Sequence, residues 1–343
     1  SDLFSFGNST ISFNEIEKYT KNSEVLIIYT FHKILSIKML QKLYNQKKHI
    51  YLRPLDMELA TGGCHVNFIY DDGSECKKYL SGCDKCPKLN SFNLLNISKR
   101  IFNEKKEFME KYKPTIFLEN KFTKNIYEKS PITAKANSEV IYLPVRDSRK
   151  KNISKNEARK FFNFSEKEII LLFGTYNLDA PHKGGRIIGE ILNLFVNFCN
   201  KNKSNLFLNN KIKLVTFGRK QGFKINNSKI DWYHLNEIKN DWELNALYRS
   251  ADLFLSPSTG CNAPSTVREA TVNDIPIIAF ENGEASEAII NNLNGILVPN
   301  YDKKKFAEAI FESVTKKKFV NKNNWSDKLK KRYSSDLEAK FII

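Results

Sequence analysis

No run of about eighteen apolar residues occurs in the chain, so no segment is built to cross a bilayer as a helix. Acidic residues are scarce: 38 Asp and Glu stand against 55 Lys and Arg, a net charge of +17. Such an excess favours polyanionic partners, whether nucleic acid, acidic lipid or phosphorylated small molecules. Lys, Asn and Ile recur everywhere, as an AT-rich genome would produce, and so the charge marks no particular patch. Aromatic residues are not interleaved along a basic face, which argues against a nucleic-acid binder. An initiating Met is lacking too; the chain opens Ser1-Asp2-Leu3 and is expected to be a fragment or a processed product. What is present, 41% hydrophobic and 27% charged residues over 343 positions, suits a globular protein with room for two domains.

Short apolar runs alternate with segments of helical period. EVLIIYTF (24–31), HIYLRPL, PTIFLEN and EVIYLPV read as buried strands, and Ile34, Ile37, Leu40 and Leu43 mark a helix between the first two. Residues 1–145 therefore form an N-terminal domain, and the polar stretch 146–164 reads as a linker with a short helix at its end. A second alternation fills 165–320, from EIILLFGTYN through GILVP to a helix at DKKKFAEAIFESVTKK, and 321–343 is a helical tail. The pattern is α/β, two facing doubly wound Rossmann-like domains whose ligands bind beyond the carboxyl ends of the strands.

Two segments of the second domain carry chemistry. After the strand that ends in Phe173 and Gly174, Lys183-Gly184-Gly185 opens an amphipathic helix. Glycines let backbone N–H groups approach an anion, the helix start carries partial positive charge, and a lysine adds a point charge. The bland alternative is a surface lysine beside a plain turn. In the second segment, a strand ending Ser256-Pro257-Ser258 leads through a loop to a helix near Pro264 and Ser265. Glu269 lies one turn in, placed to hold a ribose diol; its spacing from Thr266 also suits a capping box. Asn282-Gly283-Glu284 follows the next strand and belongs to the same sheet edge.

In this order across 169–299, these pieces resemble the donor site of retaining glycosyltransferases of family 4, which have the GT-B fold. The resemblance implies transfer of a sugar from a nucleotide-diphosphate sugar to a glycan or lipid-linked acceptor, and no cofactor is required. It assigns Lys183 to the diphosphate and Glu269 to the ribose. Gly174, Gly184, Cys261, Asn262, Ala263, Pro264, Ser265 and Thr266 would line the donor site. The chain departs from the family at several points. Cys261 replaces the first Glu of the Glu-x7-Glu signature, Glu284 replaces the second Gly of a Gly-Gly turn, and the diphosphate arginine has no counterpart near Thr175 and Tyr176. The first strand is preceded by too few residues for the family's Gly-rich loop, so the N-terminal domain is expected to be truncated.

Arg53 to Leu89 resembles a subset of the same family that acts in surface-polysaccharide synthesis, with Asp-Met, Thr-Gly-Gly-Cys-His and a closing Cys-x2-Cys-Pro. Leu55 stands where many members have His. The insert 61–88 holds Cys64, Cys76, Cys83 and Cys86 in the spacing C-x11-C-x6-C-x2-C, which suits structural zinc. Free or redox thiols and disulfides are the alternatives, and His65 is badly placed to chelate beside Cys64. Asp56 and His32 end strands on the acceptor side; either would orient the acceptor or simply hold its loop. Together Lys183, Glu269 and Asp56 form the expected catalytic set. The enzyme is expected in the cytoplasm, its basic N-terminal half touching the anionic inner face of the membrane. A catalytically silent binding or scaffold protein is the rival reading.

Overall fold

The computed structural model describes residues 4–30, 32–67, 74–89, 96–146, 153–260, 264–316, 319 and 326–336. The chain divides into two compact units, Ser1–Tyr142 and Leu143–Ile343. No described helix is long and apolar enough to cross a membrane.

In the first unit the elements run α1 (Phe13–Thr20), β1 (Val25–Ile28), α2 (Ile37–Asn45), β2 (His49–Leu52), α3 (Ile97–Tyr112), β3 (Thr115–Leu118), α4 (Lys121–Lys129) and β4 (Ser138–Val140). The sheet has the order β1-β2-β3-β4 with every neighbour parallel, Val25 opposite His49 and Ile116 opposite Ser138. Ser36 caps α2, so Ile34 falls outside the helix and is exposed, while Ile37, Leu40 and Leu43 are buried. These pack with Phe102 and Phe108 of α3 against Ile50, Leu52, Ile116 and Leu118 of the sheet.

The second unit continues with α5 (Lys155–Phe161), β5 (Glu168–Asn177), α6 (Gly185–Lys201), α7 (Leu206–Asn209), β6 (Lys211–Arg219), β7 (Asp231–Leu235), α8 (Asp241–Ser250) and β8 (Leu253–Ser256). It closes with α9 (Ser265–Val272), β9 (Ile277–Phe280), α10 (Ala285–Ala288), β10 (Gly295–Val298), α11 (Lys303–Thr315) and α12 (Ser326–Arg332). The parallel sheet has the order β10-β9-β8-β5-β6-β7. Side chains alternate faces along a strand. Leu171 and Phe173 of β5 meet Ile188, Leu192 and Phe195 of α6 on one face; Ile170 and Leu172 meet Leu247 and Val267 of α8 and α9 on the other. The stretch expected to link the domains carries α5, which packs on α8. Phe161 meets Trp242 edge to face at 4.9 Å, and the buried Arg159 donates to Asp252 at 2.6 Å. In the expected tail, α12 packs on α9, and Tyr333 just beyond it is buried.

Candidate active site

The strand order of the second sheet reverses between β5 and β8, and the loops leaving the carboxyl ends of two such strands diverge to opposite faces, opening a crevice for ligands. Both donor segments expected from the sequence leave from these two strands. Beyond β5, a single 3-10 turn, Pro181–Lys183, leads to Gly184 and then into α6. Gly184 has φ +83°, and a Cβ there would lie 2.0 Å from the Pro257 carbonyl oxygen beyond β8. Glycine thus lets the Lys183 turn and the β8 loop touch backbone to backbone. The contact is fastened through the His182 carbonyl, which accepts from the Thr259 N–H at 3.0 Å and the Ser258 hydroxyl at 2.9 Å. The Asn282 amide beyond β9 donates to the Ser258 carbonyl. Three loops are therefore joined at one sheet edge.

Pro264 precedes α9, and among the described residues no side chain caps the Ser265 and Thr266 end of that helix. The capping box that Thr266 and Glu269 could form is not made. Glu269 is buried and accepts from the Tyr248 hydroxyl at 2.8 Å. Next to it, buried Arg268 pairs with fully buried Glu284 at 2.5 Å. Gly174 lies within β5, where a side chain would strike the Phe217 ring, and packing accounts for it. Cys261, Asn262 and Ala263 lie outside the described residues.

At the carboxyl ends of β1 and β2 the first unit gathers a second polar cluster. Asp56 accepts from His65 Nδ1 at 2.6 Å and from the Glu58 N–H at 2.7 Å, so it caps a short turn and orients an imidazole together. Ser5 Oγ lies 2.9 Å from His65 Nε2 and 2.5 Å from His32 Nδ1, and the two rings meet edge to face. The Asp56 carboxylate accepts from His65 Nδ1–H, and the Ser5 hydroxyl donates to one of the two imidazoles while accepting from the other. Burial, and then the adjacent His65, holds the His32 pKa below its ordinary value and favours the neutral ring. His32, Glu58 and His65 each offer a ligand atom within 4.8 Å of the others. The Ser5 hydroxyl, however, already bridges the two imidazoles.

The family model for glycosyl transferases group 1 matches residues 155–332, more than half of the chain. The chain belongs to this family. Its fold is that of GT-B glycosyltransferases among the solved structures. Sucrose-phosphate synthase from Thermosynechococcus elongatus aligns over 95% of this chain and 72% of its own, at TM-score 0.62 and 13% identity. Anabaena HepE in complex with UDP and glucose aligns over 96% and 80%, at 0.63 and 12%. TarM of S. aureus aligns over 96% and 57%, at 0.59 and 16%. At such identities the likeness concerns the fold. No curated protein matches the sequence.

In this glycosyltransferase the four cysteines of the insert line one small cavity with Tyr79 and Pro87, and all four are free thiols. His65 turns away from them to Asp56 and Ser5. Sequence reasoning missed Ser5 and Glu58, which carry no motif. Where β5 and β6 end, the Arg219 guanidinium lies 4.5 Å over the Tyr176 ring and pairs with Glu237 at 2.8 Å.

Proposed function

We propose that this glycosyltransferase moves a sugar from a nucleotide-diphosphate donor to a glycan or lipid-linked acceptor with retention of configuration, as a family 4 enzyme of surface-polysaccharide synthesis. The observation that carries the reading is the fastening of the Lys183 turn to the β8 loop at the sheet's switch point. There Lys183 and the Ser265 and Thr266 amides would stabilise charge growing on the diphosphate, and Glu269, aligned by Tyr248, would take the ribose diol. The acceptor oxygen attacks the anomeric carbon from the face that the diphosphate leaves. The bond to the phosphate oxygen breaks, and that oxygen takes the acceptor's proton. The protein supplies position and charge rather than a nucleophile or a metal. Asp56 and His32 are assigned to the acceptor. HepE complexes with UDP-glucose support a nucleotide sugar as donor. A cytoplasmic enzyme in peripheral contact with the anionic inner face of a membrane is part of the same proposal, and equal binding to neutral and acidic vesicles would count against that contact.

The test is thermal stability against UDP-, GDP- and ADP-sugars, beside a Lys183→Ala variant. One donor should raise the melting temperature of the wild type and not that of the variant. Lys183→Ala should lose about a hundredfold or more in transfer rate while its unliganded stability is unchanged. Cys261, where the family has Glu, favours a second reading, a catalytically silent binding protein. Donor binding without turnover would establish that reading, and no shift with any nucleotide sugar would remove the donor site.

A further inference from the structure

We propose that Cys64, Cys76, Cys83 and Cys86 hold one zinc ion as a four-thiolate structural site, which staples the insert onto the first unit. The four sulfur-bearing residues surround a cavity of about 20 Å³, room for a single water-sized sphere. Among the described residues none of these thiols is oxidised to a disulfide. The Gly62 N–H donates to Cys83 Sγ at 3.2 Å, which ties the first half of the insert to the second.

The local backbone is bent to this purpose. A Cβ on Gly62 would lie 2.7 Å from the Cys83 Cβ, so the Thr61-Gly62-Gly63 run lets the two halves of the insert close on one another. Cys83 and Lys85 are left-handed, with φ of +54° and +47°, which curls the Cys-x2-Cys turn and needs something to hold it. Apolar packing holds the insert on two sides: Cys83 and Tyr79 join the main core of the first unit, and Cys86 and Leu89 form a small cluster with Phe4 and Ile101. Small segments of this kind are commonly held by metal. Four thiolates around Zn²⁺ leave a double negative charge, and Lys88 and buried Lys105 lie close enough to act on the cysteines.

Among the described residues His32, Glu58 and His65 have their ligand atoms within 4.8 Å of one another, and no three of the four sulfurs are so close. An ion would draw them inward to about 2.3 Å each. The histidine set has no such opening, because Ser5 bridges it. Cys64 adjoins His65 and is bridged to Phe4, the neighbour of Ser5. Metal at the four sulfurs would thus also fix the Asp56–His65–Ser5–His32 chain.

The test uses the full chain, produced with zinc and then with cobalt(II), and is independent of the transfer reaction. About one zinc per chain is expected, and the cobalt form should show the thiolate-to-metal charge-transfer absorption of a tetrahedral site. Cys76→Ser should lose most of the metal, and His32→Ala should keep it. If the cysteine variant does not fold, the wild-type cobalt spectrum decides. A spectrum without thiolate charge transfer would overturn the site. So would a disulfide found by mass spectrometry without reductant, or full folding in chelator with no bound metal.

Discussion

Gly184→Ala isolates the claim that the site is held together by two loops in backbone contact. The variant keeps Lys183 and adds one methyl group at φ +83°. A left-handed L-residue costs about 1–2 kcal/mol. The new Cβ would lie 2.0 Å from the Pro257 oxygen, and since real Cβ contacts essentially never fall under 3.0 Å, the loops must part by about 1 Å. That separation stretches the bonds from Thr259 and Ser258 to the His182 carbonyl, now 3.0 and 2.9 Å, each worth about 1 kcal/mol. The fold should lose about 2–4 kcal/mol in urea titrations. A displacement of ~1 Å at a site of this kind costs about a hundredfold in rate, or ~2.7 kcal/mol of barrier. Gly189→Ala is the matched control. It lies on α6, and its Cβ would meet only Ile225 Cδ1, at 3.9 Å. It should gain up to about 1 kcal/mol from helix propensity, with donor affinity and turnover unchanged. Equal calorimetric affinity and turnover in the two variants would refute the idea that this contact positions the donor site.

Arg268→Met strands the carboxylate of Glu284, which is fully buried, and should cost about 3–5 kcal/mol in urea. Adding Glu284→Leu should restore most of that loss, and a single-variant cost under ~1 kcal/mol would show that the pair is not acting as one. Burial opposes ionisation of Glu168, yet the Lys213 ammonium at 2.9 Å and the Ser165 N–H outweigh it and leave the pKa lowered. The unfolded value is ~4.3, so the stabilisation is complete above it and is lost as pH falls through the lower folded value. Lys213→Met should therefore flatten the dependence of the urea midpoint on pH between about 5 and 3. Parallel profiles for wild type and variant would contradict that account.

Most strands of the second unit were legible because each holds a short run of mainly apolar residues. β7 was not, since Asp231–Leu235 is a half-exposed edge strand that mixes Trp232 and Tyr233 with Asp231 and His234. α3 was missed for another reason. Its buried face includes Ser98 and Lys105, and a buried lysine breaks the helical period; its ammonium is spent on the Glu58 and Thr61 carbonyls. Near the proposed site, the turn at Gly184 was legible because glycine marks a left-handed backbone or a close approach, and both are found there. Arg268 with Glu284, and Arg219 over Tyr176, were invisible because neither pair has a local signature.

By itself the sequence determined what local chemistry determines. Apolar runs of strand length make parallel sheets, and glycines mark close approaches. Strand order decided the rest. Only once β8 lies beside β5 does the Pro257 loop touch Gly184, and only once β1 and β2 are neighbours do Asp56, His65, Ser5 and His32 join. Periodicity reports which face of an element is buried, never which other element covers it. Contacts across tens of residues are settled by the packing of whole layers, and the polar groups of the site follow where those layers put them.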